Sequence, residues 1–317
     1  MSMISLGKAM GPDTNTQNVT GGVILIIATA LTISVQDVVF KLFSTNLTLW
    51  QIFALRGLMT VPMLVAIGYI RGTGFDVIRS AYRFWPLLRG MCLTMTFLAF
   101  YAAIPFLSLS TVGAANYIAP IFVALLSAYV IKEAVGLWGW IGVILGFAGV
   151  IVLLQPGTDA FSPFALLPIL GAAFYAIGHI LTRTRCKDTP VEALALSLNT
   201  VMLLSGFVIS GALIALSPNA GLVEDYPYLL GAWSAVTSTD WIVLAVLAGF
   251  AVVLGMMLAG AYQMAPPATV ATFEYSYLVF VAAWDILFFD LIPTATTLIG
   301  MAMIVGAGIL VMRGRPT

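Results

Sequence analysis

TVGAANYIAPIF at residues 111–122 and TVATFEYSYLVF at residues 269–280 are two copies of one segment. Thr111 falls on Thr269, Val112 on Val270, Asn116 on Glu274, Tyr117 on Tyr275 and Phe122 on Phe280, at an offset of about half the chain. The same offset puts Gly142 of GWIGVILGFAG on Gly300 of LIGMAMIVGAG, and one residue of drift separates Glu133 from Asp290. Self-similarity at so long a period means a duplicated architecture.

Composition says what is duplicated. The chain has 317 residues, 61% hydrophobic and 8% charged, with a mean hydropathy of +1.07. These values lie far outside those of soluble domains and describe an integral membrane protein. At roughly 20 apolar residues per crossing, ten spans can be drawn: 21–43, 48–70, 85–105, 109–131, 135–154, 162–182, 191–216, 241–264, 268–289 and 294–312. The first is too long for the apolar region of a signal peptide and is read as a retained span.

Five spans per half is an odd number, so the second copy enters the membrane from the opposite face. The expected fold is an all-α membrane protein of ten transmembrane helices forming two inverted five-helix repeats, 21–154 and 162–312. A polar cytoplasmic tail precedes them at 1–20, and a short one follows at 313–317.

Loop charges support the count. One set of loops holds Lys8, Arg71, Arg79, Arg83, Lys132, Arg183, Arg185, Lys187, Arg313 and Arg315; the alternate set holds Asp159, Glu224, Asp225, Asp240 and Asp290 and no basic residue. Under the positive-inside rule this segregation puts both termini in the cytoplasm of a bacterial inner membrane protein. The longest loop, 217–240, is external and reads as a plain connector, with Tyr228 and Trp233 at the interface. Thirteen basic residues balance thirteen acidic ones, so no global charge draws nucleic acid; the expected partners are the lipid bilayer and a small-molecule substrate. The chain is read as a monomer or homodimer. Cys92 and Cys186 do not indicate a disulfide framework, and no cofactor or metal site is expected.

Several motifs in this order resemble the drug/metabolite transporter superfamily in its EamA-type branch of ten-helix carriers, from Gly21 to Arg315. They are D-x-x-x-K at Asp37 and Lys41, Q-x-x-x-x-R at Gln51 and Arg56, A-x-Y-x-x-P at Ala115, Tyr117 and Pro120, the acid Glu133, and FEYSYLVFVAAWDILFFD in the ninth span. The family more often ends that span in Gly-Glu, where this chain reads ILFFD. The resemblance implies a small-metabolite carrier with a central cavity and leaves the metabolite open.

Charges inside the spans are costly unless they face the protein interior and are paired. At 1.5 Å per residue, Asp37 and Arg56 lie roughly 9 Å and 12 Å inside the external ends of their helices. Asp37 and Lys41 share a helix face at i and i+4. Asp37, Lys41 and Arg56 are therefore expected to form an ion cluster near the outer mouth, either as a clasp between two helices or as a substrate contact. Arg89, His179 and Glu274 each lie roughly 5 to 9 Å from the inner ends of their helices, where a second polar cluster drawing on both halves is expected. Glu274 and His179 suit proton transfer, and each is equally readable as a packing residue. Asp285 is assigned to the interface.

Pro120 deletes the hydrogen bond to the carbonyl of Asn116, which exposes a polar patch where transporters bind substrate or leaves an ordinary kink. Tyr101, Tyr117, Tyr275 and Tyr277 are candidates for lining an amphipathic cavity. The small-residue pairs Gly142-x-x-x-Gly146 and Ala302-x-x-x-Gly306 read as packing within each half or as a dimer seam.

No G-x-x-x-x-G-K-[ST] loop, H-E-x-x-H or G-x-S-x-G occurs, which argues against an ATP-driven pump or an intramembrane hydrolase. A secondary carrier working by alternating access and coupled to protons is expected, with a zwitterionic or amphiphilic metabolite as cargo; a channel or receptor is the alternative reading.

Overall fold

The computed structural model describes residues 18–42, 47–103, 119–132, 135–154, 164, 166–289 and 295–313. Among them the regular elements are all helical. We number them α1 (Val19–Leu42), α2 (Leu49–Ile70), α3 (Gly74–Ala81), α4 (Phe84–Ala103), α5 (Ala119–Tyr129), α6 (Leu137–Leu154) and α7 (Leu166–Thr184). There follow α8 (Val191–Leu216), α9 (Ala220–Asp225), α10 (Pro227–Leu230), α11 (Ser238–Met264), α12 (Pro267–Glu274), α13 (Ser276–Phe289) and α14 (Ala295–Arg313).

Among the described residues six stretches are long and apolar enough to cross a membrane: Val19–Val39, Leu49–Ile70, Leu166–Thr184, Val191–Leu216, Ser238–Met264 and Pro267–Phe288. Four shorter apolar helical stretches lie at Phe84–Phe100, Ala119–Tyr129, Leu137–Val152 and Leu298–Leu310. Large apolar side chains such as Ile70, Leu137, Ile214 and Leu287 stand on the outer surface, where in a membrane the solvent is hydrocarbon. This is a multi-pass membrane protein.

The helices pack through small residues. The α6–α14 pair is the most extensive, followed by α2 with α8, α4 with α7 and α1 with α11. Lipid chains are as apolar as leucine, so helix association in a membrane depends on close van der Waals approach rather than on burial from water. Gly149 of α6 lies so near α14 that an added Cβ would sit 2.9 Å from the Gly300 carbonyl oxygen. Gly206 of α8 meets α2 in the same way, with a built Cβ 2.7 Å from both Trp50 O and Ala54 N. Gly146, expected to pack within its own half, packs across the halves instead: its Cβ position is 2.7 Å from the Tyr275 ring.

Two connections carry more structure than expected. The 71–83 segment contains α3, which buries Val77 and Ala81 against α2 and α8. The 217–240 connector is fastened rather than plain. Trp50 Nε1 donates to Leu229 O at 2.6 Å, Gln51 Nε2 to Ser234 O at 2.8 Å, and Trp233 Nε1 to Ser210 Oγ at 2.8 Å. Trp50 and Gln51 donate from the start of α2 to carbonyls of the connector, whereas Trp233 donates from the connector to α8, and the short helices α9 and α10 lie in the segment so held.

Gly206→Ala should lower the thermal stability of the purified protein by about 1–3 kcal/mol through overpacking against α2 backbone. Gly211→Ala, five residues along the same helix with nothing within 4 Å of its Cβ position, should be neutral or slightly stabilising. The comparison is made by thermal denaturation of both variants in detergent, and equal effects would contradict the close α2–α8 approach.

Candidate functional site

Ala265, Pro266 and Pro267 break the apolar run between α11 and α12. Ala265 is extended, at φ −130° and ψ 160°, and Pro267 occupies the first turn of α12, where its missing N–H and fixed φ cost nothing. The turn brings Tyr262 of α11 to Glu274, the last residue of α12. Tyr262 Oη donates to Glu274 Oε1 at 2.7 Å, and Tyr175 Oη of α7 donates to the same oxygen at 2.7 Å. One carboxyl oxygen thus joins three helices.

His179 lies one turn beyond Tyr175 on α7. Its ring stacks on Tyr262, with centroids 3.8 Å apart and planes at 23°, and contacts Tyr175 at 4.3 Å. Arg89 of α4 lies beside the next turn of α7: its Nε donates to Thr182 Oγ1 at 2.6 Å and its Nη1 to Leu194 O of α8 at 3.2 Å. Tyr175, His179 and Thr182 follow i, i+4, i+7 spacing and so form one stripe on α7. That stripe carries Glu274 at one end and Arg89 at the other. Arg89, His179 and Glu274, grouped from their depths, are brought into one cluster, and tyrosines from α7 and α11 make the connection.

The helix is interrupted at this point. Tyr275 separates α12 from α13, and Leu278 N–H bonds to Tyr275 O at 3.1 Å, an i→i+3 bond that tightens the turn. Interrupted helices in membrane carriers leave backbone polar groups beside the transported species. Tyr275 itself packs against Val150, Leu278 and Ile304 in a buried cluster, so its ring acts in helix packing instead of lining a cavity.

The outer grouping differs from expectation. Asp37 accepts a hydrogen bond from Tyr277 Oη of α13 at 2.5 Å, and Trp284 Nε1 donates to Ser34 Oγ, one turn before Asp37, at 2.8 Å. Arg56 directs Nη2 to Met202 Sδ of α8 at 3.7 Å and lies 5.8 Å from the Phe53 ring centroid. Asp37 and Arg56 therefore do not form the expected ion pair. Equal depth is not adjacency: α1 packs on α11, α12 and α13, whereas α2 packs on α8 and α11. The side chains of Lys41, Tyr101 and Asp285, and the whole of Asn116, Tyr117 and Glu133, lie outside the described residues.

At the basic-loop end the chain is closed by a second network. Arg183 Nη1 donates to Gln263 O at 2.9 Å, and Gln263 Nε2 donates to Cys186 O and Thr189 O at 2.6 and 2.8 Å. Arg71 pairs with Glu192, and Arg185 lies over the Trp85 ring at 4.8 Å. Cys92 and Cys186 are both free and buried. Burial pushes the Cys186 thiol above its ordinary range, as for a packing cysteine rather than a reactive one.

Tyr175 and Tyr262 are the functional residues that sequence reasoning missed. Tyr175 carried a signal, its i−4 position relative to the only histidine; Tyr262 carried none, because its approach to Glu274 depends on the Pro266–Pro267 turn.

Residues 20–155 match the EamA-like transporter family. The chain is 22% identical to an S-adenosylmethionine uptake transporter of Rickettsia prowazekii, over 92% of each chain. It is 27% identical to a riboflavin transporter of Rhizobium johnstonii, over 79% of this chain and 77% of that one. A solved crystal structure superposes with a TM-score of 0.74, covering 95% of this chain and 100% of the other at 17% identity, and so has the same fold.

Tyr175→Phe and Tyr262→Phe should each lower stability by about 1–2 kcal/mol, the cost of removing one donor from a carboxyl. In a Glu274→Met background both substitutions should cost much less, because the shared acceptor is gone. Thermal denaturation of the six proteins closes the cycle, and fully additive effects would contradict the shared oxygen.

Proposed function

This chain belongs to the EamA/drug-metabolite transporter superfamily, and from that premise we propose that it is a proton-coupled secondary carrier of a zwitterionic or amphiphilic metabolite. Membership itself makes it a small-metabolite transporter and not an enzyme. In this reading two inverted five-helix repeats rock about a central site and expose it alternately to each face of the bacterial inner membrane, with both termini in the cytoplasm.

The helix contacts support the duplication. Counting α12 and α13 as one span and leaving the short α3, α9 and α10 aside, each span is related to the one five places on. That operation turns the α4–α7 contact into the α11–α1 contact and the α4–α8 contact into the α11–α2 contact. It maps the α6–α14 and α2–α8 pairs onto themselves.

The observation that carries the reading is the sharing of Glu274 Oε1 by Tyr175 and Tyr262. A carboxylate accepts from both phenols; a carboxyl that gains a proton becomes a donor in its own right and changes what the same two helices hold. Proton uptake and helix movement are then one event. His179 and Arg89 face the same cluster, and the Arg183–Gln263 network closes one end of the path in this conformation.

The cargoes named for two relatives support a choice of metabolite class. S-adenosylmethionine and riboflavin both join a heteroaromatic ring system to a hydroxylated five-carbon unit, and the tyrosine- and histidine-lined cluster here suits such a ring. We assign this chain a metabolite of that type.

Purified protein in liposomes should show saturable counterflow, which a channel does not. Glu274→Gln should keep exchange at equal pH and lose accumulation driven by a pH gradient, while Asp285→Asn keeps both. Gradient-driven accumulation in Glu274→Gln at the wild-type level would remove the proton-carrier role.

A further inference from the structure

Arg89 is the largest fully buried side chain among the described residues, at 1% exposure. Its two bonds go to a neutral hydroxyl, Thr182 Oγ1, and a neutral carbonyl, Leu194 O. Among the described residues no carboxylate pairs with it; the ion pair found there joins Arg71 to Glu192. A guanidinium keeps its charge throughout the physiological range and offers five N–H donors in a planar fork. A buried charge with no counter-ion is an arrangement that proteins retain where a ligand completes it.

A second orphan stands beside it. His179 is fully buried, and neither Nδ1 nor Nε2 has a hydrogen-bond partner. It lies one turn from Thr182 on α7, the residue whose hydroxyl accepts from Arg89 Nε. Tyr175 and Tyr262, which flank the imidazole, are already committed to Glu274. The unfilled hydrogen-bonding capacity of this cluster is thus a cation and an imidazole side by side, both able to donate to an oxyanion.

We propose that Arg89 and His179 form the subsite for an oxyanion of the transported metabolite, a carboxylate in the zwitterionic class. The proposal rests on the carrier reading and names the group that the cargo presents. Arg89 and Glu274 engage α7 at Thr182 and Tyr175, seven residues or about 10 Å apart along the helix axis. The cargo's anionic end meets Arg89, and its polar or cationic portion lies toward Glu274. The guanidinium and the carboxyl serve opposite ends of one ligand instead of neutralising each other.

The test uses the full chain, purified for thermal-shift binding and reconstituted for counterflow, with four probes. S-adenosylmethionine bears a carboxylate, decarboxylated S-adenosylmethionine lacks it, riboflavin 5′-phosphate bears a phosphate, and riboflavin bears neither. The wild type should bind S-adenosylmethionine at least about tenfold more tightly than its decarboxylated analogue. Arg89→Gln should bind the two alike, and Arg89→Lys should keep part of the preference. Ligand-free Arg89→Gln should be no less stable than the wild type, since no protein ion pair is lost; a mere helix clasp would lose stability there. An Arg89-dependent preference for riboflavin 5′-phosphate over riboflavin would support the oxyanion subsite and assign its source to a phosphate. Equal binding of the carboxylate-bearing and decarboxylated probes by the wild type, together with no Arg89-dependent preference for riboflavin 5′-phosphate over riboflavin, would overturn the proposal. Wild-type liposomes without counterflow of any probe would count against the carrier reading; counterflow that persists unchanged in Arg89→Gln would count against the oxyanion subsite alone.

Discussion

The whole arrangement depends on how a carboxyl group is kept inside a membrane protein. Glu274 is half-buried, and its Oε1 takes hydrogen bonds from phenols on two other helices. A carboxylate away from water must be compensated by such donors or give up its charge. Once Tyr175 and Tyr262 serve that purpose, α7, α11 and α12 are no longer independent. Whatever changes the state of the carboxyl acts on a contact that all three share. The stacked His179 fills the space between the two phenol rings and transmits the constraint along α7 toward Arg89.

Around this centre the fold supplies rigidity by close approach rather than by polar contacts. Gly206 brings α8 onto α2, and Gly149 brings α6 onto α14. These seams set small residues directly against a neighbouring backbone, so each behaves as a stiff unit. Polar fastenings reinforce the ends: Trp50 and Gln51 to the 217–240 connector at one end, and Arg183, Gln263 and the Arg71–Glu192 pair at the other. Stiff seams with releasable ends suit a molecule that alternates between two conformations.

Much of this is legible in the sequence. Helix positions follow hydropathy because the bilayer sets the length of a span; α8 runs from Val191 to Leu216, the bounds that hydropathy alone assigns. The duplicated TV…Y…F segment singles out Glu274 without reference to any contact. The Arg89, His179 and Glu274 grouping is recoverable because depth along a helix is a simple sum of rises. The Asp37 and Arg56 pairing fails, since depth carries no information about which helix lies beside which. Tyr262 is hidden for the related reason that its neighbour is set by a turn, and the polar ties of the 217–240 connector are hidden because loop side chains have no periodicity to read.

The account stands most directly on one distance. Spin labels at positions 184 and 264, at the ends of α7 and α11, report the separation of the two helices that Glu274 joins. If the shared carboxyl couples proton to helix, electron-electron resonance should show this distance lengthening as the pH falls, and remaining long at every pH in Glu274→Gln. A wild-type distance that does not respond to pH, or a Glu274→Gln protein that follows the wild type, would contradict it.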